Sequence, residues 1–228
     1  MIGRRSLLGG LAAALGTGLT RAFAQDVGQW FPLVGDHGRP VANLRLPVEL
    51  TSEVDDLPGA IWLGSESRAL TLVEFYDYNC PYCRTAVRDI HALMQDEPEL
   101  RVGLVNNPIL SEQSVEAAKV ELVLSRLGRP TAVYGFHRRL FERRGTIDGA
   151  KALEVADELG APRGKVEELM ARRDVQDMLS TQMRLAASLG FAATPSFLAA
   201  GAGVLGYPGP NALRSIVDAV RRCDRIAC

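Results

Sequence analysis

The sequence is poor in most features that mark a specialised chain. Four cysteines in 228 residues are too few for a scaffold built on disulfides. Three histidines, His37, His91 and His137, lie too far apart to form a metal-ligand pattern, and His137, between Phe136 and Phe141, reads as helix packing. The formal charge is −1, so no basic excess points to nucleic acid and no acidic block points to a disordered tail. There is no internal repeat, which sets aside solenoids and propellers. No apolar run reaches the roughly 20 residues of a spanning helix. What remains, 47% hydrophobic and 23% charged residues, is ordinary globular composition, sufficient for one sizeable domain with an insertion.

The N-terminus reads as a targeting segment. Arg4-Arg5 precede Ser6-Leu7-Leu8 and an apolar, glycine-containing run to about Leu19, followed by Ala22-Phe23-Ala24, a small-x-small pattern. We expect residues 1–24 to be a signal peptide cleaved after Ala24. The arginine pair is similar to a twin-arginine signal, with the general secretory route as the alternative. Cleavage removes Arg4, Arg5 and Arg21 and no acid, taking the formal charge from −1 to −4. All four cysteines stay in the mature chain, in an oxidising compartment where pairs can be disulfides, and no stable membrane insertion is expected.

Residues 25–60 form a lead-in segment. Val41 to Leu50 alternates enough to predict one or two short strands, Glu53-Val54-Asp55-Asp56 before Pro58-Gly59 predicts a loop, and Trp30 and Trp62 are expected to pack the lead-in onto the core. Leu70 to Tyr76 is the best strand: β-branched, aromatic and nearly continuous in apolar character, as a central strand should be, with Glu74 the exception. Asp77-Tyr78-Asn79 ends it, and Cys80 opens a helix to about Gln95, with Ala86, Val87, Ile90, Leu93 and Met94 at helical spacing. Leu100 to Val105 is a second strand, completing a βαβ unit over 61–110. From 111 to 189 the pattern is helical, with helices over 111–127, 131–144, 149–160, 163–172 and 174–189, and breaks at Gly145 and Gly160-Ala161-Pro162. Residues 190–228 return to strands, Ser196 to Ala200 and Val204-Leu205 around Gly201-Ala202-Gly203, and end in an amphipathic helix over 210–222. The expectation is an α/β frame with an inserted all-helical subdomain. The arginine pairs 138–139, 143–144, 172–173 and 221–222 read as solvated helix faces.

Cys80-Pro81-Tyr82-Cys83 carries the chemistry. Residues i and i+3 share one helix face, at a separation that suits a disulfide. Cys80 falls at the helix N-terminus, where unpaired N–H groups and the helix dipole favour an anion. That makes Cys80 the attacking thiolate, with Cys83, one turn inside, as the resolving thiol. Pro81 suits the first helical position, and Tyr82 beside the sulfurs shapes access. Haem attachment would need histidine where Arg84 stands. A zinc site would need two further ligands, which Cys223 and Cys228 can supply; an inert disulfide is the remaining alternative. Cys223 and Cys228 themselves either pair as a second, structural disulfide or stay as free or intermolecular thiols.

From Leu70 to Val220 the chain resembles the DsbA family of bacterial periplasmic thioredoxin-fold proteins. The segment Glu74-Phe75-Tyr76-Asp77-Tyr78-Asn79-Cys80-Pro81-Tyr82-Cys83 is similar to the family's active-site segment, nearest its ScsC-like branches. Asn107-Pro108-Ile109-Leu110, Phe136-His137 with Leu140-Phe141, and Ala193-Thr194-Pro195-Ser196-Phe197 also resemble family segments. The resemblance implies a thioredoxin fold, a central mixed sheet flanked by helices, and a periplasmic thiol–disulfide oxidoreductase with no metal or organic cofactor. Its partners would be reduced or unfolded exported proteins, and a membrane or soluble redox protein for recycling. Spacing leaves Thr194-Pro195 open to a cis or a trans bond; the resemblance implies cis, packed against the cysteines, with the Thr194 backbone offered to substrate. It also implies a buried acid at Glu74 that exchanges a proton with Cys83. Pro81-Tyr82 departs from the Pro-His of the best-known oxidase and resembles DsbG-like proteins. Oxidase is the expectation, with an isomerase or reductase of the ScsC/DsbG type, a copper or zinc carrier using the same thiols, and a redox-independent chaperone as the other readings.

Overall fold

The computed structural model describes residues 30–128 and 130–228; the expected signal peptide, residues 1–24, and the start of the lead-in lie outside them. Six strands form one mixed sheet: β1 (Asn43–Arg45), β2 (Ile61–Gly64), β3 (Thr71–Tyr76), β4 (Arg101–Asn106), β5 (Ser196–Ala199) and β6 (Ala202–Leu205), in the order β1-β6-β5-β3-β4-β2. β3 runs parallel to β4 and antiparallel to β5, and the remaining pairs are antiparallel. β3 is central because its side chains demand it: every residue from Leu72 to Tyr76 is buried. The two-residue period of a strand sends Leu72, Glu74 and Tyr76 to one face and Val73 and Phe75 to the other. On the first face Leu72 and Tyr76 share a core with Val87 and Ile90 of α2 (Pro81–Asp96) and with Leu213, Ile216 and Val217 of α8 (Pro210–Cys223). On the second, Val73 and Phe75 pack against Leu185, Ala186 and Leu189 of the chain segment before β5. Glu74 is thus turned toward α2, the helix that carries the cysteines.

Between β4 and β5 the chain makes five helices: α3 (Glu112–Leu127), α4 (Pro130–Glu142), α5 (Gly149–Glu158), α6 (Arg163–Met170) and α7 (Arg173–Ser188). Local chemistry sets their starts. Ser111 and Asp148 cap α3 and α5 by accepting from Ser114 N and Lys151 N, as short polar side chains do at helix N-termini. Observed bounds fall within two residues of the expected ones. α8 ends at Asp224, in the left-handed region (φ 53), and Cys223 is joined to Cys228 beyond it.

The lead-in differs from expectation. Only Asn43–Arg45 is a strand in that stretch; Val48–Glu53, expected to continue it or to enter a loop, is the helix α1. Pro47 lacks an N–H for a strand ladder and sits at the helix cap with φ −60, while the Thr51 and Ser52 hydroxyls bond back to the Val48 and Glu49 carbonyls. Trp30 does not pack onto the core, being 65% exposed. Trp62 does: it is half-buried against the core cluster that includes Val54, Leu57 and Val73, with the Arg101 guanidinium 3.5 Å above its ring. The ring lies across Gly103, where a Cβ would come within 2.6 Å of it.

Candidate active site

The turn that delivers the cysteines is tied down from both sides. Asp77 ends β3, and its Oδ1 accepts from Asn79 N (2.7 Å) and Ser114 Oγ (2.6 Å), its Oδ2 from Leu110 N (2.9 Å). Asn79 reaches into the helical insertion, donating to Ile147 O (2.8 Å) and accepting from Ile147 N (2.7 Å). Cys80 N donates to Asp77 O at 3.0 Å. The turn therefore cannot move without breaking bonds to α3 and to the loop before α5. Cys80 stands at the N-cap of α2 with Pro81 in the first helical position, where the missing N–H costs no hydrogen bond. Pro81 and Tyr82 are exposed, Cys80 is nearly covered, and Cys83 is fully buried.

The Thr194–Pro195 bond is cis, and Cys80 Sγ lies 3.1 Å from the Thr194 carbonyl, to which it donates when protonated. The Cys83 backbone N–H donates to Cys80 Sγ at 3.4 Å. The Cys83 thiol, with the Thr194 side chain and the N–H groups of Cys83 and Tyr82 adding to it, outweighs burial and brings the Cys80 pKa from 9.0 down to about 6. Burial, with its hydrogen bond to Cys80 and the nearby Glu74, drives the Cys83 thiol far the other way. One sulfur of the pair is an anion at neutral pH and the other a thiol. In the reduced protein, Cys80 should react with iodoacetamide along a curve with its midpoint near pH 6, while Cys83 stays unmodified. A midpoint near pH 9 would contradict the assignment. Because the folded pKa lies below the unfolded one, the reduced fold gains stability as pH rises from about 6 toward 9 and loses it as pH falls through 6.

Glu74 is 1% exposed, and neither of its carboxyl oxygens has a hydrogen-bond partner. Burial first, and the charge of Cys80 second, raise its pKa well above the carboxylate range. A bare buried carboxylate is expensive, so the group stays protonated at neutral pH.

Beneath the cysteines lies a second buried carboxyl with the opposite electrostatics. Glu121 of α3, wholly buried, accepts from Tyr76 Oη, from Tyr78 Oη (2.6 Å), from Asn106 Nδ2 (2.8 Å) and from His137 Nδ1 of α4 (3.1 Å). Burial pushes its pKa up, but the hydrogen bond and charge of His137 and the two tyrosine hydroxyls bring it below the ordinary value. Four donors meet the four lone-pair sites of a carboxylate, which fixes Glu121 as ionised. Burial and Glu121 hold the protons on both tyrosines. Sequence reading missed this cluster, along with the anchoring roles of Asp77 and Asn79. One signal was present: in Val120-Glu121-Leu122-Val123 a lone acid sits inside an apolar helix run.

The structure therefore brings Glu74, Cys80, Cys83, Thr194 and Pro195 together, with Pro81 and Tyr82 at the surface above them. It does not bring Cys223 and Cys228 to them as ligands, because those two are bonded to each other. Among the described residues no cluster of three or more histidine, cysteine or acidic side chains is arranged to hold a metal, and no helix is long and apolar enough to cross a membrane.

A family model described as a DSBA-like thioredoxin domain matches residues 71–218. A thioredoxin-like oxidoreductase from Silicibacter pomeroyi is 32% identical, with a TM-score of 0.69 over 75% of this chain and 98% of its own. The catalytic domain of Proteus mirabilis ScsC is 24% identical, TM-score 0.66, over 75% and 96% of the two chains. A periplasmic thioredoxin-like protein from Salmonella enterica serovar Typhimurium is 22% identical, TM-score 0.68, over 78% and 98%. The last two are likenesses of fold. No curated protein matches the chain.

Proposed function

This chain belongs to the DSBA-like thioredoxin domain family and is a thiol–disulfide oxidoreductase, and from that premise we propose that it works as a periplasmic oxidase, forming disulfides in exported proteins. The observation that carries this reading is the Cys80 sulfur, held near pKa 6 at the cap of α2. A thiolate stabilised in the reduced form makes the corresponding disulfide a stronger oxidant. A substrate thiolate attacks Cys80 Sγ, the Cys80–Cys83 bond breaks, and Cys83 leaves with the electron pair. Neutral Glu74, next to the pair, gives Cys83 its proton, since Cys83 is a poor anion. A second substrate thiolate attacks the substrate sulfur of the mixed disulfide and Cys80 leaves as a thiolate. The substrate has lost two electrons and the protein holds them as a dithiol, which a membrane or soluble redox partner reoxidises. The Thr194 backbone beside Cys80 lines the substrate strand alongside the sulfur. Export rests on residues 1–24 and on the stability of a disulfide such as Cys223–Cys228 in an oxidising compartment.

Equilibration of residues 25–228 with glutathione, in a Cys223→Ala/Cys228→Ala background, tests the direction of transfer. A potential near about −120 mV fits the oxidase; a value of roughly −200 mV or lower moves the assignment to an isomerase or reductase of the ScsC/DsbG type. No reversible titration would return the thiols to a copper or zinc carrier.

Glu74 gives a separate expectation with a distinctive sign. Its folded pKa is raised, so, beyond the pH-independent cost of burying an unpartnered carboxyl, the penalty linked to ionisation is absent below pH 4.5 and grows as pH rises from there toward the raised value. Glu74→Gln should therefore be more stable than the parent, increasingly so toward alkaline pH. It should also slow the step in which Cys83 departs by roughly tenfold or more. Thermal melts across pH and single-turnover kinetics measure the two. A variant less stable at pH 8 would sink the account.

A further inference from the structure

We propose that the arginine-lined cleft between α2 and α4 is a carboxylate-binding subsite that seats an acidic stretch of the substrate polypeptide beside the cysteine being exchanged; this rests on the thiol–disulfide exchange reading above. The cleft encloses about 350 Å³ with a floor of Val87 and Phe141, and its walls hold Arg84, Arg88, Arg138 and Arg144 against a single acid, Glu142. Elsewhere the surface matches many of its arginines with carboxylates: Arg126 with Asp174, Arg143 with Glu158, Arg214 with Asp96, Arg221 with Glu97. Among the described residues none of the four cleft arginines has an acidic partner. Arg84 is built in: its Nη1 donates to the Phe141 and Arg143 carbonyls, capping the end of α4 and fixing one wall. Arg138 donates to His91 Nε2 at 3.1 Å, and burial together with Arg138 lowers the His91 pKa, which favours the neutral ring as acceptor and leaves the Arg138 charge unbalanced. Four guanidinium groups so gathered repel one another, in a chain whose formal charge is −1 overall. Such a local positive field selects an anion.

The position selects a polypeptide. The cleft starts within the first turn of α2, where the Thr85 hydroxyl bonds the Pro81 carbonyl. At the helical rise, Arg84 and Arg88 lie about 6 and 12 Å along the axis from Cys80. An extended chain attached through its cysteine to Cys80 covers that distance in about two to four residues. Carboxylates that close to the reacting cysteine reach the guanidinium forks, which bind them in pairs of hydrogen bonds.

The test is the second-order rate of reaction of the oxidised protein with two-cysteine peptides that differ only in three glutamates or three glutamines, two to four residues from one cysteine. We expect the glutamate peptide to react about tenfold faster at low ionic strength, and the ratio to shrink in 0.5 M NaCl. In R88Q/R144Q, which removes two exposed arginines of the cleft, the ratio should fall to about two or less; comparing ratios between variants cancels any effect of the glutamates on the peptide's own thiols. R173Q/R184Q, which removes equal charge from α7, should keep the wild-type ratio. A wild-type ratio near one overturns the subsite, as does a ratio that survives in R88Q/R144Q or is lost equally in R173Q/R184Q. Failure of both peptides to react overturns the exchange reading itself, and the subsite with it.

Discussion

Cys80→Ser should lose thiol–disulfide exchange outright, by about 10³-fold or more, because a serine hydroxyl cannot form the mixed disulfide that the reaction passes through. Cys80 meets each requirement of an attacking and leaving sulfur: a helix N-cap position, N–H and thiol donors to its sulfur, and a pKa of about 6. A leaving thiolate of low pKa departs faster, and the thiolate is the form that attacks. Cys83→Ala should do the reverse of silencing the protein. It leaves Cys80 reactive and removes the buried thiol that would release it, so mixed disulfides accumulate and appear as a mass increase that reductant removes. The pair of variants separates chemistry from folding, since Cys83 is buried and Cys80 nearly so, and both must keep the parent's circular dichroism for the comparison to count. Exchange at more than about a tenth of the parent rate in Cys80→Ser would end the proposed mechanism.

Glu121→Gln should destabilise the protein severely, by about 3–5 kcal/mol, the usual range for removing one partner of a buried charge network. The substitution keeps the shape and removes the charge. One amide oxygen then faces Tyr76, Tyr78, Asn106 and His137, all donors to the native carboxylate, while the new NH₂ points donors at donors. His137 is itself fully buried and its Nε2 has no partner, so without the carboxylate its Nδ1 is left with the neutral Tyr78 hydroxyl at 3.2 Å. At about 2–4 °C per kcal/mol for a chain of this size, the melting temperature should drop by roughly 6–20 °C. A melt within about 2 °C of the parent would show that the cluster contributes little. The effect on the site follows from position: Tyr76 and Tyr78 bracket Asp77, the residue that holds the turn into Cys80.

Much of this molecule was legible in one dimension. Leu72 to Tyr76 had to be a central strand, because no other environment hides so continuous an apolar run, and the cysteine spacing with Pro81 had to open a helix. Both follow from periods of two and 3.6 residues, and the structure has both elements in place. Val48 to Glu53 was misread because its alternation fits a strand and only Pro47, in context, turns it into a helix start. Arg138 and Arg144 were read as solvated faces, since a helix sequence shows which residues are polar but not what stands opposite; Arg84, their neighbour in the cleft, is held by the end of α4.

By itself the sequence determined most of the elements, the order in which the chain visits them and the position of Cys80 and Cys83 at the start of a helix, because these depend on contacts between residues close in the chain. Tertiary structure alone decided which of two buried acids is charged. Glu74 and Glu121 are the same side chain, each nearly or fully removed from water. One received no hydrogen bond and is held neutral; the other received four donors from two strands, one turn and a neighbouring helix and is held as an anion. That difference is made of contacts up to 45 residues apart, and a carboxyl's charge in a low-dielectric interior is set by its partners rather than by its own identity.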